Sequence, residues 1–212
     1  MPVVHGRTVK EIKLSLKILA DHGQNFGWIG LGGMVPLLQH RRVSNEISNM
    51  TPEVFIGQAL CLIRQQFPKS IIHVFGAGGT RSFPAVYALG ADSGDSIGWR
   101  QAAGFGSIFL PYQSQRAIKW DLEQGPPRKT LSKSDLSQLR LCECPVCKTT
   151  SGLASKLRSF QRSFHFRSIH NAWTVANQSA FWPKERSALR LEVAGGKLGQ
   201  AWARAAKLAC SV

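Results

Sequence analysis

Three cysteines fall within six positions in the segment Leu141-Cys142-Glu143-Cys144-Pro145-Val146-Cys147-Lys148. A C-x-C-x2-C spacing can turn three thiolates toward one centre, and zinc completes its tetrahedron with a fourth nitrogen or sulfur. Two imidazoles follow, His165 and His170. His170 is the preferred fourth ligand, and His165 reads as an ordinary surface or core histidine. A full set of four protein ligands implies structural zinc rather than a catalytic ion with an open position. The remaining cysteines, Cys61 in an apolar helical pattern and Cys210 near the end, read as ordinary thiols. Clustered cysteines without a secretory signal argue for metal rather than a disulfide framework.

A second kind of chemistry rests on carboxylates, of which the chain has only 12 against 27 lysines and arginines. Asp92 and Asp95 follow Gly76-Ala77-Gly78-Gly79-Thr80, where an acid at a strand can act as nucleophile or base. The plainer reading has Asp92 capping a turn and Asp95 satisfying backbone amides. The turns Gly30-Leu31-Gly32-Gly33 and Gly76 to Gly79 lack Cβ atoms, so their backbone can approach a flat base or a phosphate. A dinucleotide fingerprint would need a third glycine where Arg81 stands, which speaks against a nucleotide-binding oxidoreductase. From Lys148 to Arg190 basic and aromatic residues interleave, among them Lys156, Arg158, Arg162, Arg167, Phe160, Phe164, Phe166 and Trp173. Such a tract can grip a phosphate backbone, or it can be a solvated face around a zinc knot.

These residues need elements to hold them. Val3 to His5 reads as a strand, Thr8 to Asp21 as a helix, Gly27 to Gly33 as a strand. After a loop containing Arg41 and Arg42, Thr51 caps a helix with Pro52 at its first position that runs to about Gln66. Ile71 to Phe75 reads as a strand, Thr80 to Leu89 as a helix ended by Gly90, and Asp92 to Trp99 as a strand. Alternation of this kind implies a parallel sheet, either doubly wound or part of a (β/α) barrel. In both, ligands bind at the C-terminal strand ends, where the glycines and Asp95 fall. The expected organisation is 1–110 as the strand and helix domain, 111–140 as a linker with Pro126 and Pro127, 141–185 as the zinc-binding subdomain, and 186–212 as a helical tail.

The chain has 212 residues, is 43% hydrophobic and carries a formal charge of +15. It can bury a core, and its charge favours a polyanionic partner such as nucleic acid. No stretch has the roughly 20 apolar residues needed to span a bilayer, and Met1 to Lys13 lacks the apolar core of a signal peptide. A cytoplasmic location without a membrane partner is expected.

Together these residues resemble the guanine transglycosylase family, whose members replace guanine in nucleic acid by a 7-deazaguanine. FGAGGTRSFPAVYALGADSGDSIGW resembles the family segment that runs from a glycine-rich strand end to the nucleophilic aspartate. By that match Asp95 is the nucleophile. IGLGGM resembles the base-recognition strand, placing Gly32, Gly33 and Met34 beside the purine, and VVHG resembles the preceding strand, with His5 where a base-contacting glutamine is usual. CECPVC followed by IHN resembles the zinc site and selects Cys142, Cys144, Cys147 and His170, with Asn171 beside them. Val35, Pro36 and Leu37 depart from the usual V-G-E, and Trp99, Arg100 and Gln101 from the usual proline-threonine-arginine. These departures look more like the DNA-modifying branch than the bacterial tRNA branch.

The resemblance implies an α/β fold, the C-terminal half of a (β/α)8 TIM-like barrel with a zinc-binding subdomain. About four of eight strands are present, and the second catalytic aspartate of the family is not. Four barrel strands leave open edges, so the chain is expected to be a fragment, a product of a broken frame, or half of a split enzyme completed by a separate N-terminal half or a homo-oligomer. The implied reaction exchanges guanine in DNA or tRNA through a covalent aspartyl-sugar intermediate. The alternative is a non-catalytic zinc module that binds nucleic acid.

Overall fold

The computed structural model describes residues 1–40, 50–80, 82–111, 113–118 and 129–181. The loop with Arg41 and Arg42, the residue Arg81, the prolines Pro126 and Pro127, Cys210, the basic residues beyond 181 and the helical tail expected at 186–212 all lie outside them. The chain is mixed α/β and forms two compact units: the described residues up to Ser96, with Phe181, belong to the first, and those from Ile97 to Ala180 to the second.

In the first unit, β1 (Val3–Val4), β2 (Trp28–Leu31), β3 (Ile71–Val74) and β4 (Ser93–Gly94) make one sheet in the order β1-β2-β3-β4. Every pairing is parallel, with Val4 opposite Leu31, Leu31 opposite Val74, and Val74 opposite Gly94. Each strand therefore lies beside its predecessor, and the order holds no reversal of the kind that defines a doubly wound sheet. Between them run α1 (Val9–Asp21), α2 (Met34–His40), α3 (Pro52–Gln66) and α4 (Ser82–Ala88). Thr8 starts α1 by accepting the Glu11 amide at 3.1 Å, and Ile12 and Leu16, one turn apart, are its buried face. Thr51 and Pro52 start α3 as expected, and this helix buries Phe55, Ile56, Ala59, Leu60 and Ile63. Ile29, Leu31, Ile72 and Val74 complete the core. These four alternate along β2 and β3 in register and so share one face of the sheet, while Trp28 and Ile71 on the other face are exposed.

Two readings of the sequence are corrected here. The expected strand from Asp92 to Trp99 shrinks to Ser93–Gly94, because α5 (Gly98–Gly104) takes Gly98 and Trp99 into its first turn. Met34 to His40, read as loop, is α2.

The second unit begins with α5 and an antiparallel hairpin of β5 (Ser107–Ile108) and β6 (Arg116–Ala117). There follow α6 (Lys133–Arg140), α7 (Pro145–Lys148), α8 (Leu153–Arg162) and α9 (Phe164–Phe181). The helix α6 lies inside the stretch expected to be irregular. A capping box starts it, with Ser132 and Asp135 each bonding the other's backbone amide. Asp135 also takes a two-pronged bond from Arg116, at 2.7 Å from Nε and 3.3 Å from Nη2, and both side chains are buried. The core comprises Ile108, Leu110, Leu139, Val146, Phe160 and the two cysteines Cys144 and Cys147. Among the described residues no helix is long and apolar enough to cross a membrane.

Candidate functional site

The cysteines of the second unit converge with His170. The four ligand atoms, three Sγ and one imidazole nitrogen, lie within 4.8 Å of one another. His170 Nδ1 is 3.6 Å from Cys142 Sγ, 3.3 Å from Cys144 Sγ and 3.9 Å from Cys147 Sγ. A tetrahedral zinc with ordinary bond lengths separates sulfur from nitrogen by about 3.6 Å. The residues therefore fit one such ion and form a group that could hold a metal.

Local structure explains the convergence. Pro145 at the first position of α7 and Cys144 as its N-cap fold the C-x-x-C loop back, and Cys144 Sγ accepts the Cys147 amide at 3.3 Å. His170 sits on α9, with its Nε2 2.9 Å from the Phe109 carbonyl. An Nε2 proton donated there leaves the Nδ1 lone pair for a metal. Asn171 steadies that carbonyl from the next position: its Oδ1 accepts the Phe109 amide at 2.7 Å, and its Nδ2 donates to Trp99 O and Ser107 O. His165 is exposed and rests against Phe164, so it lies outside the ligand set.

The four side chains perturb one another strongly. Hydrogen bonds from Cys144 and Cys147 hold the Cys142 thiol far below its ordinary value, and those from Cys142 and Cys144 push Cys147 up. Burial pulls the His170 imidazole down, but its bonds to Cys142 and Cys144 outweigh this and push it up to about 9. A cavity of about 430 Å³ opens beside Cys142 and His170, between Leu141 and Trp173.

In the first unit the other expected site residues follow the ends of parallel strands. His5 follows β1, Gly32 and Gly33 follow β2, and Asp95 follows β4. His5 and Gly32 are in contact: a Cβ on Gly32 would lie 2.3 Å from His5 Cε1. Gly33 adopts φ +78°, which glycine tolerates and a side chain resists. Met34 opens α2 and is fully buried. Asp95 Oδ1 accepts the Gly76 amide at 2.8 Å, and the carboxylate is 57% exposed. Asp92 has another task. Arg64 Nη2 donates to it at 2.5 Å, and it accepts the Ile72 amide at 2.9 Å. Arg64 also binds the carbonyls of Ser70 and Gly90, so this pair stitches α3 to the segments around β3.

Two glycines of the second turn, Gly76 and Gly78, are needed where they stand. A Cβ on Gly78 would meet Ser96 Cβ at 1.5 Å, and Ser96 Oγ donates to the Gly78 carbonyl at 2.9 Å. Gly76 has φ +67°, and a Cβ there would meet Val35 Cγ2 at 2.2 Å.

Part of the basic tract is structural, a correction to the sequence reading. Lys156 is buried and donates to the Leu139 and Arg140 carbonyls that end α6. Arg167 is buried and binds Ala103 O at 2.8 Å as well as Phe160 O. Both cap helix ends, and burial lowers the Arg167 pKa. Phe160 is core, edge-on to His170 at 4.9 Å. Arg158 and Arg162, one turn apart on α8, remain exposed. His73, which the sequence did not single out, lies 3.5 Å from Asp95 through its Nε2.

No protein-family model matches the chain. Over 156 residues it is 26% identical to the tRNA-guanine(15) transglycosylase of Pyrococcus abyssi, a match that covers 73% of this chain and 22% of that protein. The chain thus spans about a fifth of the length of the curated relative it matches. Over most of its own length it is similar to a guanine transglycosylase.

Proposed function

We propose that the chain carries the nucleophile strand and the zinc-binding unit of a base-exchanging transglycosylase, which replaces guanine in nucleic acid by a 7-deazaguanine. The single observation that carries this reading is Asp95: an exposed carboxylate at the C-terminal edge of a parallel sheet, fixed by one backbone amide. The unbroken order of four parallel strands supports a half-barrel. Its completion by four further strands, from another polypeptide or a second copy, is part of the proposal.

In the proposed reaction a carboxylate oxygen of Asp95 attacks C1′ of a guanosine while the bond from C1′ to N9 breaks. The transition state has oxocarbenium character, and guanine leaves with the bonding electron pair and takes a proton from water. The covalent sugar ester is then attacked by N9 of the incoming 7-deazaguanine, which loses its proton and displaces the carboxylate. Gly32 and Gly33 let the base approach the backbone, and His5 borders the same place. Cys142, Cys144, Cys147 and His170 would hold a zinc ion, which would contribute folding energy to the second unit rather than activate a water. The relative is named for tRNA, while the residues after Gly33 and after Asp95 favour DNA here; nucleic acid is the common class.

The chain, isolated from its own cells so that complementary strands accompany it, should incorporate labelled guanine into DNA or tRNA, and Asp95→Asn should abolish this. Incorporation that survives the substitution overturns the assignment. Salt-sensitive binding of nucleic acid without any incorporation replaces it by the non-catalytic zinc module.

A further inference from the structure

The parallel register sets His73 between two groups of the neighbouring strand. Its partner across the ladder is Ser93, and its Nδ1 lies 2.7 Å from Ser93 Oγ. Asp95 follows two residues later, with Oδ1 3.5 Å from His73 Nε2. The ring is only 17% exposed and is wedged edge-on against Phe75 at 4.6 Å. A largely buried imidazole thus stands beneath a carboxylate that faces solvent, with its other nitrogen already engaged.

We propose that His73 is a positioning residue for Asp95, with Ser93 setting its tautomer. When the Ser93 hydroxyl donates to Nδ1, the neutral ring carries its proton on Nε2 and directs it at the carboxylate. The present separation closes to a charge-assisted hydrogen bond with a small rotation. Asp95 is then held by two donors, the Gly76 amide and the imidazole. Among the described residues both fall on Oδ1, which makes Oδ2 the oxygen presented for attack. Fixing one oxygen selects a single rotamer of the nucleophile, so its approach to a sugar carbon is set before substrate arrives. This inference rests on Asp95 being the nucleophile.

Long-range proton-nitrogen correlation spectra of the chain at pH 8 test the tautomer without any need for turnover. The proton is expected on Nε2 of His73, with its signal displaced in Asp95→Asn and Ser93→Ala. A proton on Nδ1, or a signal indifferent to both substitutions, overturns the proposal. Kinetics supply the second arm. A Gln amide nitrogen reaches close to the place of Nε2, whereas Asn ends near Nδ1. His73→Asn should lower kcat for base exchange by roughly 10-fold to 100-fold with KM for the base little changed, and His73→Gln should recover most of the rate. Equal losses in both variants that follow their melting temperatures would mean packing only and sink the positioning role. If exchange survives Asp95→Asn, the nucleophile assignment is what fails; if exchange needs Asp95 yet ignores His73→Asn, the role of His73 alone fails.

Discussion

Asp92 and Asp95 are three residues apart and carry the same carboxyl group, yet their surroundings divide them. Arg64 and the Ile72 amide hold Asp92, so Asp92→Asn should destabilise the first unit by about 1–3 kcal/mol in urea unfolding. Asp95→Asn should change stability by only about 0.5 kcal/mol, as surface substitutions do, while removing base exchange. From spacing alone the two acids could not be ranked, because what separates them is a guanidinium reaching 28 positions along the chain. The cysteine ligands were legible, since three thiols so close have few other uses. His170 against His165 was decided by helix phase, which turns one ring onto the sulfurs and the other outward. Asn171 tests the same centre from one residue away. Asn171→Leu should weaken metal affinity by roughly 10-fold to 100-fold in a chelator competition, by loosening the carbonyl that orients His170.

Among the elements, α6 shows what the sequence hid. Its buried residues are Asp135 and Leu139, so hydrophobic periodicity has almost nothing to register, and the stretch reads as polar linker. The signal that could have found it is the capping pair Ser132 and Asp135. Burial works to raise the Asp135 pKa, but the hydrogen bonds from Arg116 and Ser132 outweigh it and leave it lowered. A carboxylate depressed on folding stabilises fully above its unfolded pKa and loses that contribution as pH falls through the folded value. The contribution of this carboxylate should therefore persist down to about pH 4 and be lost below, as read from the difference in unfolding between the protein and Asp135→Asn. Asp135→Asn leaves the buried Arg116 charge without its carboxylate and should cost about 3–5 kcal/mol at neutral pH. The sheet strands were legible from their apolar runs, although α5 ended the last one early. His73 left no trace in the sequence, because only the register between β3 and β4 gives it neighbours.

For the whole molecule, the charge of +15 invites a polyanion, but a lysine or arginine count overstates the surface on offer. Lys156 and Arg167 are buried in helix caps. Arg158→Ala and Arg162→Ala should each reduce the slope of log affinity against log salt for nucleic acid by about one, with melting unchanged. Arg167→Ala should instead lower the melting temperature of the second unit. Metal removal by a chelator should raise amide exchange at Leu139, Phe160 and His170 and leave β2 and β3 protected, because the cysteines belong to the core of the second unit alone.

The ligands also have an order in time. Cys147 leaves the ribosome 23 positions before His170. At ordinary synthesis rates of 5 to 20 residues per second, the thiols wait about one to five seconds for their imidazole. During that interval the nascent segment is a three-thiol chelator with no core around it, exposed to oxidants and to softer cations than its own. Zinc added only after synthesis should therefore yield less metal-loaded chain than zinc present throughout, as timed addition to a cell-free translation would show.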